Sequence, residues 1–169
     1  ANYFGTSAEA VSVLDGIRRA VSSQTEVTYA EGCHLYRAEP DTWGDKGGKG
    51  VSEAVIAAER SDVAIVVLGL SAELEGEEGS VAASDGGGDK TDLDLPGLQQ
   101  RLLEAVVATG TPTVLVLVNG SPITVGWAAE HVPAILEAWY PGEEGGTAVA
   151  KVLFGDTNPS GRLPITFVR

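Results

Sequence analysis

The densest run of reactive side chains in this 169-residue sequence is Glu73-Leu74-Glu75-Gly76-Glu77-Glu78-Gly79, with four carboxylates inside six residues. Like charges this close raise one another's pKa, because each ionisation disfavours the next. A carboxyl raised in this way is what a general acid needs near neutral pH. The plain alternative is a solvated acidic loop that serves only solubility.

Other candidate motifs fail on spacing. Ser84-Asp85-Gly86-Gly87-Gly88-Asp89-Lys90-Thr91 imitates a phosphate-binding loop, but Ser84 and Asp89 stand where that motif needs glycine. A carboxylate just before the lysine would also repel phosphate. No Gly-x-Gly-x-x-Gly opens a helix after a strand, and no Gly-x-Ser-x-Gly elbow supplies a hydrolase serine. His34 and His131 are far apart without ligand spacing, and His131 reads as a helix-end residue. Cys33 is the single cysteine, so neither an internal disulfide nor a thiolate cluster can form; it reads as a small, half-buried thiol. No metal and no cofactor is expected. Asn119-Gly120-Ser121 matches a glycosylation triplet, but with Pro122 behind it the triplet reads as a turn at a strand end.

The elements that hold the acidic run follow from periodicity. Val11–Val21 is a one-sided helix and Glu26–Ala30 a short strand candidate. Cys33–Lys49 is glycine-rich loop, Val51–Arg60 a second helix, and Ser61-Asp62 a turn. Val63–Leu70 is a solid apolar run, the pattern of a central strand covered on both faces. Ser71–Asp94 then carries eight acidic residues and five glycines with little periodicity. Loops of this length inside a compact domain are usually functional. Pro96 opens a helix to about Ala108, and Thr113–Val118 is another buried strand. Ile123–Glu130 has a weak pattern, Ala134–Trp139 reads as a strand, and Glu144–Leu153 as a helix. Leu163–Val168 reads as an edge strand, where Pro164 is tolerated. This alternation predicts an α/β three-layer sandwich, with a mostly parallel central sheet and helices on both faces. Ligands of such sheets gather at the carboxyl ends of the strands, where the acidic loop departs.

Composition narrows the partners. With 24 acidic and 11 basic residues the formal charge is −13, which opposes nucleic acid and anionic membranes. The apolar runs are far shorter than the roughly 20 residues a membrane helix requires. With no disulfide to indicate redox environment, the compartment stays open. Trp127, Trp139 and Tyr140 could stack on sugar, but aromatics at strand ends read first as core. Trp43 is the tryptophan expected to be exposed. Asp156 and Arg162 read as structural partners around the Asn158-Pro159 turn.

Several segments together closely resemble glycoside hydrolase family 3. They are Val66-Val67-Leu68-Gly69-Leu70-Ser71, the Glu75-Gly76-Glu77 cluster, Gly88-Asp89-Lys90-Thr91-Asp92-Leu93-Asp94-Leu95-Pro96 with Gln99-Gln100, and Leu117-Val118-Asn119-Gly120-Ser121-Pro122. Ala138-Trp139-Tyr140-Pro141-Gly142 and Leu153-Phe154-Gly155-Asp156-Thr157-Asn158-Pro159-Ser160-Gly161-Arg162-Leu163-Pro164 complete the set. The similarity is to the α/β sandwich domain that follows the catalytic barrel in β-glucosidases and β-xylosidases. Asn2-Tyr3-Phe4-Gly5-Thr6 and Gly16-Ile17 resemble the xylosidase-like branch.

The resemblance implies retaining hydrolysis of a β-linked glycoside from its non-reducing end, at a site shared by two domains. The barrel, absent from this chain, would supply an aspartate nucleophile, and the sandwich domain the glutamate that acts as acid and then base. By the family register that glutamate is Glu77, with Glu78 and Glu75 as alternates, and Asp89 and Lys90 fall on the substrate-binding side. Lys90 stands where the family commonly has arginine, and Gly79–Asp85 is polar where relatives are more apolar. The family's domain usually begins a strand earlier, so this chain is expected to lack its first strand and, without the barrel, to show no turnover and a mobile 71–94 loop. A non-catalytic carbohydrate-binding or scaffold domain of the same fold is the alternative.

Overall fold

The computed structural model describes residues 7–38, 49–72, 74–75, 90 and 92–167. Three parallel strands form one open sheet in the order β1-β2-β3: β1 (Ala64–Gly69), β2 (Thr113–Val118) and β3 (Ala134–Glu137). Val66 pairs with Leu115, and Leu115 with Ile135. Because the strands are parallel and in register, Gly69, Val118 and Glu137 end along one edge of the sheet. The segments that leave them therefore start side by side.

Burial follows the alternation. Val66, Leu68, Leu115 and Leu117 point into one apolar core with Val51 and Ala58 of α2 (Lys49–Glu59) and with Leu102, Leu103 and Val106 of α3 (Gln99–Val107). Val132 and Ala128 of the α4 region (α4, Gly126–His131) close the same core. Val116, on the opposite face of β2, is also fully buried. The central strand is thus covered on both sides, as a parallel sheet requires. α1 (Val13–Ala20) and α5 (Gly145–Leu153) pack against each other. Ser12 starts α1, its hydroxyl accepting from the Asp15 N–H at 3.1 Å, and Arg18 and Arg19 sit in the last turn. Together these elements make the expected α/β sandwich with helices on both faces of a parallel sheet.

Several expected elements differ. Glu26–Ala30 forms no strand: it lies mostly at the surface, with Tyr29 61% exposed and no ladder partner among the described residues. β propensity without a neighbouring strand gives extended chain rather than sheet. Residues 163–167 form no edge strand either, and Leu163 and Ile165 are about half exposed. α3 begins at Gln99 rather than at Pro96, because Pro96-Gly97-Leu98 makes a turn in which the Gln99 N–H donates to the Pro96 carbonyl at 3.3 Å. β3 stops at Glu137, two residues before the expected end, since Trp139 takes a left-handed conformation with φ of 53°. The weak segment at Ile123–Glu130 becomes α4, and His131 closes that helix as expected, its Nδ1 at 2.8 Å from the Trp127 carbonyl. Arg162 donates to the carbonyls of Ser160 and Gly161 and not to Asp156, so the expected pair is replaced by a self-contained loop. Cys33 is half-buried, and burial pushes its thiol pKa up.

Gln99 holds the α3 start to the end of β1. Its side chain is 2% exposed; its oxygen accepts from the Gly69 N–H at 2.7 Å, and its amide nitrogen donates to the carbonyls of Gly69 at 2.8 Å and Leu35 at 2.7 Å. Gln99→Leu keeps the volume but strands one donor and two acceptors. At about 1–3 kcal/mol for each buried group left unpaired, we expect a destabilisation of about 3 kcal/mol by thermal or denaturant unfolding. A loss below about 0.5 kcal/mol would show that water replaces the amide.

Candidate active site

The polar side chains of interest collect at the carboxyl ends of the three strands. β1 leaves the sheet at Leu70 into a tight turn in which the N–H groups of Leu74 and Glu75 donate to the Ser71 carbonyl at 2.9 and 3.2 Å. Leu74 is buried in the core. The Glu-Leu-Glu sequence therefore has an apolar anchor between two acids, and the turn delivers Glu75 toward the end of β2.

There the Asn119-Gly120-Ser121-Pro122 segment meets it. The Gly120 N–H donates to Glu75 Oε2 at 2.8 Å, the Tyr140 hydroxyl donates to the same oxygen, and the Ser121 hydroxyl donates to Oε1. Lys90 Nζ donates to Ser121 Oγ at 2.6 Å and to the Pro122 carbonyl at 3.2 Å. Burial lowers the Lys90 pKa, against the opposing pull of the Glu75 and Asp92 carboxylates. The glycine at 120 is a matter of space: a Cβ there would lie 2.6 Å from a Tyr140 ring carbon and 2.9 Å from Glu75 Oε2.

β3 contributes a second carboxyl. Glu137 accepts from the Trp139 N–H at 2.9 Å and from Asn119 Nδ2 at 3.3 Å. Burial pushes its pKa up, and the Glu75 charge adds to this against the lowering effect of those two hydrogen bonds. Asn119 is fully buried, which removes it as a glycosylation acceptor in the folded chain and bears out the turn reading. Its Nδ2 also donates to the Ser121 carbonyl at 2.9 Å, while its Oδ1 is buried with no partner among the described residues. Trp139 sits at the same rim, half-buried and edge-on to Phe167 at 5.8 Å between centroids. Its left-handed backbone is a strained conformation for a bulky residue, of the kind that gathers at functional sites.

Of the residues expected to act, Glu75 and Lys90 are brought together on the Asn119–Pro122 turn. Glu77, Glu78 and Asp89 lie outside the described residues, as do Trp43 and most of the segment expected to be mobile. Glu137, Ser121 and the hydroxyl role of Tyr140 escape the sequence reading. The available signal was positional, since Asn119–Ser121 and Glu137–Tyr140 follow or finish apolar strand runs. Trp127 packs beside the core and stacks on His131 at 4.4 Å, a structural placement. Among the described residues no group of three His, Cys, Asp or Glu side chains could hold a metal ion, and no helix is long and apolar enough to cross a membrane.

An open parallel sheet whose strand ends carry two carboxylates, a lysine and aromatic side chains defines an α/β sandwich domain with a polar rim at the carboxyl ends of its strands, the edge where sheets of this kind generally bind ligands. The chain belongs to glycoside hydrolase family 3: residues 1–169 match that family's C-terminal domain, described as "Glycosyl hydrolase family 3 C-terminal domain". A β-xylosidase of Formosa agariphila is 41% identical over 99% of this chain and 21% of its own length. A periplasmic β-glucosidase of Salmonella typhimurium is 37% identical over 98% of this chain and 22% of its own. Among solved structures, a β-glucosidase from Erythrobacter marinus superposes with a TM-score of 0.80 at 39% identity, covering 94% of this chain and 23% of that one. An exo-β-xylosidase of family 3 in complex with a xylobiose aziridine probe gives 0.78 at 28% identity, covering 96% and 19%. The chain therefore spans about a fifth of the length of these relatives. It is a domain of glycoside hydrolases.

Proposed function

We propose that this domain supplies the acid/base glutamate of a retaining, exo-acting β-glycosidase. Glu77 is that residue, with Glu78 and Glu75 as its alternates, and the nucleophilic aspartate lies on a barrel domain outside this chain. The substrate is a β-linked oligosaccharide or glycoside. In the first step Glu77 protonates the departing glycosidic oxygen while the aspartate bonds to the anomeric carbon. In the second, the Glu77 carboxylate takes a proton from water as that water displaces the aspartate. Retention through a covalent intermediate asks for carboxyl groups about 5–5.5 Å apart, so the loop must reach the partner domain's site.

The observation that carries this reading is the placement of Glu75. It brings the start of the acidic segment to the carboxyl ends of β1 and β2, two residues before Glu77. Relatives bearing the names β-xylosidase and β-glucosidase supply the reaction class. Asp89 and Lys90 belong to the substrate side of the same loop. For Lys90 this leaves one ammonium hydrogen beyond the two that face Ser121 and Pro122.

Stereochemistry tests the reaction class. Proton NMR of a β-glycoside hydrolysed by the full-length protein should show the β-anomer of the released sugar first, with the α-anomer appearing only by mutarotation. Initial release of the α-anomer would mean an inverting reaction and overturn the two-step mechanism.

A further inference from the structure

We propose that Glu75 is a positioning residue and not the proton donor. With Ser121, Tyr140 and Lys90 it forms a clasp that pins both ends of the 76–89 segment to the Asn119–Pro122 turn. The inference rests on the reading of Glu77 as acid/base.

A general acid must present an O–H to the leaving oxygen. Both carboxyl oxygens of Glu75 instead face donors of its own chain: Oε2 faces the Gly120 N–H and the Tyr140 hydroxyl, and Oε1 the Ser121 hydroxyl. The Ser121 hydroxyl also accepts from Lys90 Nζ at 2.6 Å, so one oxygen ties residue 75 to residue 90. Lys90 fastens a second time on the Pro122 carbonyl, and the Leu93 carbonyl accepts from the Thr124 N–H at 2.6 Å just beyond. On the near side, buried Leu74 fixes the residue before Glu75 in the core. Glu75 and Lys90, the described residues on either side of positions 76–89, are thus both fastened to one short turn of the rigid sheet.

Fixing a loop's ends removes much of the conformational freedom a residue near either end would otherwise have. Glu77 is two residues from the clasp, so the clasp sets its reach. A misplacement of about 1 Å of a catalytic group can cost on the order of 100-fold in rate. The clasp therefore acts on proton transfer, through Glu77, and on substrates in proportion to their need for it.

The test uses the full-length protein with Tyr140→Phe, Glu75→Gln and Glu77→Ala, each on a dinitrophenyl β-glycoside and on an unactivated alkyl β-glycoside. Tyr140→Phe removes one donor to Glu75 without changing shape. It should lower kcat/KM, which reports the first step alone, about 10-fold on the alkyl glycoside and less than about 2-fold on the dinitrophenyl glycoside. Glu75→Gln should show the same split with a larger factor, about 100-fold on the alkyl glycoside. Equal losses on both substrates, or no loss, beside a Glu77→Ala variant that shows the split, would overturn the clasp and leave the acid/base reading standing. A full split in Glu75→Gln with a wild-type Glu77→Ala would overturn both, by making Glu75 the acid.

Discussion

Glu77→Ala in the full-length protein is expected to lower kcat/KM on an unactivated β-glycoside by about 1,000-fold, within the range that general acid catalysis contributes. The reason is the leaving group. An alkoxide departs poorly unless it is protonated as the bond breaks, whereas dinitrophenolate departs without help. On the dinitrophenyl glycoside the first step should therefore lose less than about tenfold, and turnover should become limited by hydrolysis of the glycosyl-enzyme, which still lacks its base. Azide needs no deprotonation to attack. It should raise the rate on the dinitrophenyl glycoside and give a β-glycosyl azide, while leaving the alkyl glycoside slow. Equal loss on the two substrates, with no azide product, would assign Glu77 a structural role.

The second large effect concerns stability and arises far from the acids. α1 and α5 cross where two glycines meet. A Cβ built on Gly146 would lie 1.9 Å from the Ser12 carbonyl oxygen, and one built on Gly16 would lie 2.0 Å from the Gly146 carbonyl oxygen. These neighbours are backbone and cannot swing aside as a flexible side chain would. The contact is also hydrogen-bonded, with the Gly146 N–H donating to the Val11 carbonyl at 3.0 Å and the Val11 N–H to the Glu143 carbonyl at 2.9 Å. Gly146→Ala must push the helices apart and stretch both bonds. Overpacking of this kind costs about 3 kcal/mol or more, which corresponds to a fall in Tm of about 10 °C for a domain of this size. Gly161→Ala, where a Cβ meets nothing within 4 Å, is the matched control and should leave Tm unchanged. Because Tyr140 lies just before α5, Gly146→Ala should also weaken the hydroxyl contact to Glu75. An unchanged Tm would mean that the crossing is looser than its geometry requires.

The sheet was legible because its signals are local and strong. Val63–Leu70 and Thr113–Val118 are apolar on both faces, the pattern of a helix-covered parallel sheet, yet only Thr113–Val118 takes the central, covered place; β1 stands at the edge of the described sheet with Val67 44% exposed. Glu26–Ala30 and Leu163–Val168 misled because propensity records only what the residues would accept. Whether a neighbouring strand lies within reach is a tertiary fact that propensity does not contain. The weak pattern at Ile123–Glu130 hid α4 because a six-residue helix shows less than two turns of periodicity.

At the site, residue chemistry showed that an acidic loop leaves a strand's carboxyl end, and the family register selected Glu77. It did not separate the glutamates by role. The positioning role proposed for Glu75 rests on Gly120, Ser121 and Tyr140, which are 45, 46 and 65 positions from it in the chain. Gln99 belongs to the same class: as a sequence letter it opens a helix, yet in the fold its amide bridges α3 to the end of β1. Contacts this long-range have no local signature.

The central claim is that the acid of the reaction is carried by this domain at Glu77. The most direct measurement is the pH dependence of kcat/KM on an unactivated β-glycoside, for the full-length wild type beside Glu77→Ala. The wild type should give a bell whose basic limb reports loss of the acid's proton. In the variant that limb should vanish, leaving a low rate that stays flat as pH rises. A variant whose basic limb persists at the wild-type position would contradict the account and move the acid to another residue, with Glu78 the first to examine.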